Sequence, residues 1–245
     1  MNTIMATAAA VTGARHRRSA RNGQDAAAAW SAGDAVAVVV CDGCGSGASS
    51  EVGARLGARV AIGVLAQRLA AGARADDPAL WQGVRAGVLR ALAAVLEQMP
   101  GDRAGAIAEH FLFTIVAAAA TREGASVWAI GDGAYAIDHV TRTLGPFANN
   151  QPPYLAYEIL GDPVRACFEP AARAASIVVA TDGAAELPCG LAPFGAPRFV
   201  ANPDAVRRAL AVYARDAERI DWDARRVVRT PAALQDDGAI GVLLR

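Results

Sequence analysis

The sequence predicts an α+β domain in layers, with strands and helices segregated rather than alternating. Three observations carry this. Two short apolar runs, 27–30 and 35–41, are split by the turn Ser31-Ala32-Gly33-Asp34, a hairpin signal. Two long stretches of helical period follow. The pattern then reverts to short apolar runs broken at glycine.

The run Val36 to Cys41 climbs into Asp42 and breaks at Gly43, Gly45 and Gly47, so a carboxylate stands at a strand end in a tight turn. Ser49, Ser50 and Glu51 open a helix that runs to about Gly72. Its apolar side is predicted as Val52, Leu56, Val60, Val64, Leu65 and Leu69. A second helix, from about Pro78 to Met99, has Pro at its first turn and Pro100-Gly101 after its end. Its stripe is Leu80, Val84, Val88, Leu92, Val95 and Leu96, and the two helices are expected to pair on a sheet. Phe111 to Ala120, Ser126 to Ile130 and Tyr135 to Ile137 form a predicted antiparallel meander. Residues 141–170, rich in Pro, Gly and Asn, are expected to be a long irregular loop that covers a site or simply runs over the surface. A strand at 175–181, a helix at 203–219, a polar stretch to Pro231 with Trp222 as a packing anchor, and a last strand at 239–244 complete the chain. Residues 1–24, with Arg15, His16, Arg17, Arg18 and Arg21, are expected to be a solvated segment or to deliver a phosphate contact from an early strand. The lone His16 is expected to be exposed or to support a site without ligating metal.

Composition narrows the function classes. At 245 residues and 53% hydrophobic, the chain can bury the core of one domain spanning 1–245. Lys+Arg 24 against Asp+Glu 24 leaves no basic field for nucleic acid. No uncharged apolar run is long enough to span a membrane, and Met1 to Ala10 lacks the basic start of a secretory leader. Cys41, Cys44, Cys167 and Cys189 read as reduced thiols, which favours the cytoplasm.

The strand-end acid recurs. Asp182-Gly183 follows 177–181, Gly131-Asp132-Gly133 follows 126–130, and Asp236-Asp237-Gly238 precedes the last strand. Carboxylates gathered at one sheet end without His call for hard cations such as Mg or Mn.

These blocks, with Gln24-Asp25-Ala26, resemble the metal-dependent protein phosphatase 2C family, above all its compact bacterial branch. Asp42-Gly43-Cys44-Gly45, Gly131-Asp132-Gly133, Thr181-Asp182-Gly183 and Asp236-Asp237-Gly238-Ala239 follow in the family's order and rough spacing. The resemblance implies a four-layer α-β-β-α sandwich of two antiparallel sheets flanked by helix pairs. It implies two or three Mn2+ or Mg2+ ions held by Asp25, Asp42, the carbonyl of Gly43, Asp132, Asp182 and Asp236, with Asp42, Asp182 and Asp236 central to catalysis. It implies a serine/threonine protein phosphatase that hydrolyses phosphoesters by a two-metal-activated water. A phosphoprotein substrate, a cognate Ser/Thr kinase and a monomeric state are expected with it. The family's phosphate-binding Arg falls at Ala20 here, so Arg21 is favoured, with Arg17 and Arg18 as alternatives. The family's His after Asp-Gly is Cys44 here, leaving the leaving-group proton to water or the thiol. These departures motivate a second reading, a pseudophosphatase that binds a phosphoprotein or signalling partner without turnover. A hydrolase of small phosphate esters is a third.

Overall fold

The computed structural model describes residues 4–245; Met1 to Thr3, part of the stretch judged for a leader, lie outside that range. Strand β1 (Met5–Val11) leads through the one-turn helix α1 (Ala14–Arg18) to β2 (Asp25–Ala32) and β3 (Ala35–Gly43). Helices α2 (Ser50–Ala70), α3 (Pro78–Leu96) and α4 (Arg103–His110) come next. Strands β4 (Phe113–Thr121), β5 (Ala125–Ile130), β6 (Gly133–Ile137) and β7 (Val140–Leu144) follow. After two short 3-10 turns come β8 (Cys167–Pro170), β9 (Ser176–Ala180), α5 (Asp182–Ala185), α6 (Arg198–Ala201) and α7 (Ala205–Tyr213). The hairpin β10 (Ala217–Asp221) and β11 (Arg226–Thr230) precedes the last strand, β12 (Gly238–Leu244).

Two five-stranded antiparallel sheets, ordered β1-β12-β9-β6-β7 and β2-β3-β4-β5-β8, pack face to face. Between them lie Val36, Val38, Val40, Val116, Val127, Tyr135, Ile177 and Val179. Helices α2 and α3 cover the outer face of the second sheet, over Val39, Phe113, Ile115, Trp128 and Ile130. Helices α5 to α7 cover the first sheet, over Val178, Ile240 and Val242. The result is the expected α-β-β-α sandwich, except that its second helical layer is built from short pieces.

The buried face of α2 holds the predicted Leu65 and Leu69, with Leu56, Val60 and Val64 packed at its margin, but its centre is made of small residues that the stripe did not include. Val52 is 47% exposed, while Gly53, Ala54, Gly57, Ala58 and Ala61 are buried with Ile62, Leu65 and Leu69. Small residues let the helix axis approach the sheet. A Cβ on Gly57 would stand 2.4 Å from the Phe113 ring, so hydropathy misjudged a face whose role is close approach. The stripe of α3 holds at Leu80, Val84, Val88, Leu92 and Leu96, but Val95 is exposed. Among the described residues α3 alone is long and apolar enough to cross a membrane. Its buried face packs into the core with α2, as a core helix does.

Three expectations need correction. The opening segment is not simply solvated, because β1 pairs along its whole length with β12, Met5 opposite Leu244 through Val11 opposite Gly238. Its alanine-rich sequence, with Thr7 and Val11 as the only β-branched residues, made the strand hard to read. The predicted meander is split between the sheets: β5 pairs with β4, whereas β6 pairs with β9 and β7. The crossing is made at Gly131 (φ +92°) and Gly133 (φ +112°), backbone conformations that side chains with a Cβ avoid. Finally, the polar stretch after α7 is the hairpin β10–β11, and Trp222 at its tip is 79% exposed rather than an anchor.

Candidate functional site

Antiparallel pairing decides where the acids meet. Strands β2, β4, β6 and β12 begin, and β1, β3, β5 and β9 finish, at one edge of the sandwich. The first residue of β2 is Asp25, and the register sets it directly opposite Asp42 near the end of β3. Asp132 sits in the crossing from β5 to β6, Asp182 follows β9, and Asp236 precedes β12. All five line a single cavity of about 650 Å³, together with Gly43, Arg15, His16, Arg21, Cys44, Thr114, Tyr154 and Asp237. The 145–160 region supplies one wall through Gln151, Pro152, Tyr154 and Tyr157. Every predicted site residue is therefore in this cavity.

The local bonding fixes these carboxylates. Thr181 Oγ1 donates to Asp25 Oδ2 at 2.6 Å and accepts from Ala239 N at 2.9 Å, which joins β2 to the β9–β12 pair. Asp182 Oδ1 accepts from Gly183 N at the start of α5. Gln24 Nε2 donates to Ser50 Oγ at 2.7 Å, tying the start of β2 to the first turn of α2.

The electrostatics are those of carboxylates crowded together and buried. Burial pushes Asp25 from 3.8 up to about 8; the Thr181 hydroxyl pulls against this, and Asp237 and Asp182 add to it. Burial and then the charge of Asp25 push Asp42 well above the carboxylate range. Asp132 is raised by burial and by Asp182. Asp132 Oδ1 is also buried with no hydrogen-bond partner. A buried acceptor without a donor is rare in folded proteins. Opposed carboxylates and an unpartnered oxygen, with no Lys or Arg buried among them, are what oxygen-liganded divalent cations would satisfy. The residues present fit Mg2+ or Mn2+.

Because the folded pKa of Asp25 lies above its unfolded value, the metal-free fold binds the extra proton. The contribution of Asp25 to stability is fully present below about pH 4 and is lost as pH rises through about 8. Thermal melts in chelator are expected to fall across that window, and added Mn2+ is expected to raise Tm most at its alkaline end. A flat metal-free profile contradicts the assignment.

The structure also brings in residues that the sequence reading placed otherwise. Of the basic cluster, Arg15 and Arg21 face the cavity. Arg17 instead donates to Ala214 O and Arg18 to Gln235 Oε1, and neither lines the cavity. Arg15 reaches within 3.9 Å of Asp236. His16 is buried, with Nδ1 at 2.8 Å from Asp237 Oδ2. His16, Asp236 and Asp237 form a group whose donor atoms lie within 4.8 Å of one another. The His16 and Asp237 atoms already bond to each other, and so make a support for the site rather than an open cation cage. Their signals in the sequence were a His inside the basic run and the second Asp of Asp-Asp-Gly. Cys44 is half-buried with Sγ 3.1 Å from Ser46 Oγ. Burial raises its thiol, but hydrogen bonds from Ser46 and Tyr154 outweigh this and lower it. All four cysteines are free.

The sequence profile described as Protein phosphatase 2C matches residues 12–218. The chain belongs to the protein phosphatase 2C family. No curated protein matches it in sequence. Among solved structures, this protein phosphatase 2C domain is similar to the serine/threonine phosphatase Stp1 from Staphylococcus aureus. That match has TM-score 0.59 and 12% identity, and covers 100% of this chain and 96% of the other. It is similar to PppA of Pseudomonas aeruginosa, with TM-score 0.58, 16% identity and coverage of 98% and 97%. It is also similar to the catalytic domain of PstP, solved with two manganese ions, with TM-score 0.55, 13% identity and coverage of 98% and 97%. At these identities the likeness is one of fold. The family profile ends within β10, so the rest of the hairpin and the closing Asp236-Asp237-Gly238 block lie beyond it.

Proposed function

We propose that this protein is a Mn2+- or Mg2+-dependent phosphatase acting on phosphoserine and phosphothreonine in proteins. The observation that carries the reading is the convergence of Asp25, Asp42, Asp132, Asp182 and Asp236 on one cavity that Arg15 and Arg21 also line. Asp25, Asp42 and the Gly43 carbonyl on one side, and Asp182 and Asp236 on the other, would hold the cations, with Asp132 at a further, weaker position. Bound divalent ions supply there a nucleophilic water at neutral pH and charge to offset the phosphoryl oxygens. The chain's own residues do the rest. Arg15 and Arg21 draw in and orient the phosphoryl group, since a fork of N–H donors matches its oxygens. The open cavity, walled by Gln151, Tyr154 and Tyr157, admits a side chain presented on polypeptide. Cys44, Ser46 and Tyr154 form a hydrogen-bonded group on that wall. They can exchange a proton with the departing seryl or threonyl oxygen directly or through water.

A phosphoprotein and the kinase that phosphorylates it are the partners that this chemistry implies, and four free thiols suit a reducing cytoplasm. The test is hydrolysis of an aryl phosphate and of a phosphothreonine peptide with Mn2+, with Mg2+ and with chelator, on wild type and Asp182→Asn. Metal-dependent turnover of the peptide that drops by about a hundredfold or more in the variant is expected. Folded, metal-loaded protein with no turnover of either substrate favours the pseudophosphatase reading. Turnover of the aryl ester alone favours a hydrolase of small esters.

A further inference from the structure

Asp237 is 3% exposed, next to Asp236 and among an excess of acids. A further buried carboxylate there needs a reason, because it adds negative charge where charge is already crowded. Its bonding supplies one. Oδ1 accepts from Gly13 N at 2.8 Å, and Oδ2 accepts from Gln24 N at 2.6 Å. Oδ2 also lies 2.8 Å from His16 Nδ1, which must be the donor because an ionised carboxylate only accepts. Gly13 and Gln24 are the two ends of the segment between β1 and β2. One side chain therefore closes that segment into a loop and holds it from within through His16.

What the loop carries is Arg15 and Arg21. Arg21 N donates to His16 O at 2.9 Å, so the backbone of one arginine is bonded to the residue that Asp237 grips. Arg15 precedes His16 and approaches Asp236 at 3.9 Å. The fit is tight at the entrance: a Cβ on Gly13 would lie 2.0 Å from Asp236 O. The three donors also explain why the residue is an acid. An Asn has one acceptor oxygen, and its amide would oppose the Gln24 N–H.

We propose that Asp237 and His16 are positioning residues that hold Arg15 and Arg21 at the phosphoryl position and tie that position to the backbone carrying Asp236. This rests on the phosphatase reading. A unit of this kind sets phosphate affinity, because side chains held by packed, bonded neighbours lose less freedom when they bind. It leaves the bond-breaking step largely alone.

The test measures binding of inorganic phosphate to the Mn2+-loaded protein by calorimetry, together with kcat and KM for an aryl phosphate. Wild type, His16→Leu, His16→Asn and Asp237→Asn are compared. In His16→Leu, phosphate affinity is expected to fall by about tenfold and KM to rise in step, with kcat within about threefold of wild type. Amide exchange across residues 13–24 is expected to accelerate. His16→Asn, whose amide nitrogen can overlay Nδ1 and donate to Asp237, is expected to restore most of the affinity. If His16→Leu does not fold, Asp237→Asn, whose amide in place of Oδ2 opposes both the Gln24 N–H and His16 Nδ1, is expected to show the same split. Phosphate affinity and KM equal to wild type in a folded His16→Leu or Asp237→Asn overturns the positioning role alone. So does an equal loss of kcat with KM unchanged. A wild-type protein that neither binds phosphate nor turns over ester overturns the phosphatase reading along with it.

Discussion

Asp42→Asn is expected to lower Mn2+-dependent turnover on the order of a thousandfold while making the metal-free protein more stable. The two effects have one cause. Asp42 lies opposite Asp25 at the mouth of the second sheet; burial raises both carboxyls, and the charges of Asp25 and Asp182 push Asp42 further up. Asn keeps the shape but removes one charge. In metal-free protein the repulsion that Asp25, Asp182 and Asp132 exert on Asp42 is relieved, and the charge that would hold a cation between the strands is lost. In chelator the variant is expected to melt a few degrees above wild type at pH 8, given about 2–4 °C per kcal/mol in a domain of this size. With Mn2+ present, wild type is expected to gain more and the order to reverse. Turnover assays and thermal melts with and without metal check both. Undiminished activity would remove Asp42 from the centre of the site.

Trp81→Ala is expected to give the largest loss of stability away from the cavity. Trp81 is 1% exposed, stacks on Trp128 with ring centroids 5.7 Å apart and 8° between planes, and donates from Nε1 to Ser126 Oγ at 2.8 Å. Ser126 Oγ in turn donates to Ala75 O. Removing the indole empties a large volume between α3 and the second sheet and breaks this chain of bonds. The expected loss is about 3–5 kcal/mol, a fall in Tm of roughly 10 °C or more. Ser126 lies at the start of β5, the end away from Asp132. At temperatures where the variant is folded, its metal-dependent kcat/KM is therefore expected to match wild type within about twofold. Calorimetry and low-temperature kinetics separate the two quantities. A kinetic defect in the folded variant would show that the core pair reaches the site.

The acids were legible in the sequence because their signal is local. A run of β-branched residues that ends in Asp-Gly states both a strand and the direction in which its end points. Once the antiparallel order is known, the edge at which Asp25, Asp42, Asp132, Asp182 and Asp236 meet follows. What stayed hidden depends on partners distant in sequence. The strand at Met5–Val11 is made largely of alanine and owes its form to β12 at the other end of the chain. Helix α4 carries a glycine at 105 and rests on its Asp102 cap, whose carboxylate accepts from Gly105 N at 2.7 Å. The first half of the buried face of α2 is glycine and alanine, invisible to hydropathy because its contribution is proximity. Arg15 and Arg21 could not be told from Arg17 and Arg18 by position in a basic run. The distinction lies in what Ala214 and Gln235 offer the latter two.

The ribbon β10–β11 pairs with neither of the larger sheets, and Ile220, Trp222 and Val227 stand in solvent upon it. Strand β12, just after it, is by contrast hydrogen-bonded on both edges, to β1 and to β9. The chain thus leaves the compact body, makes a free excursion and returns to fill the middle of a sheet. Covalent continuity through the excursion contributes little that the flanking ladders do not already provide. The tip near Trp222 is accordingly the natural seam of the molecule: a point at which the polypeptide can be cut into two complementary fragments, or a foreign domain spliced in, with the cavity of acids left intact.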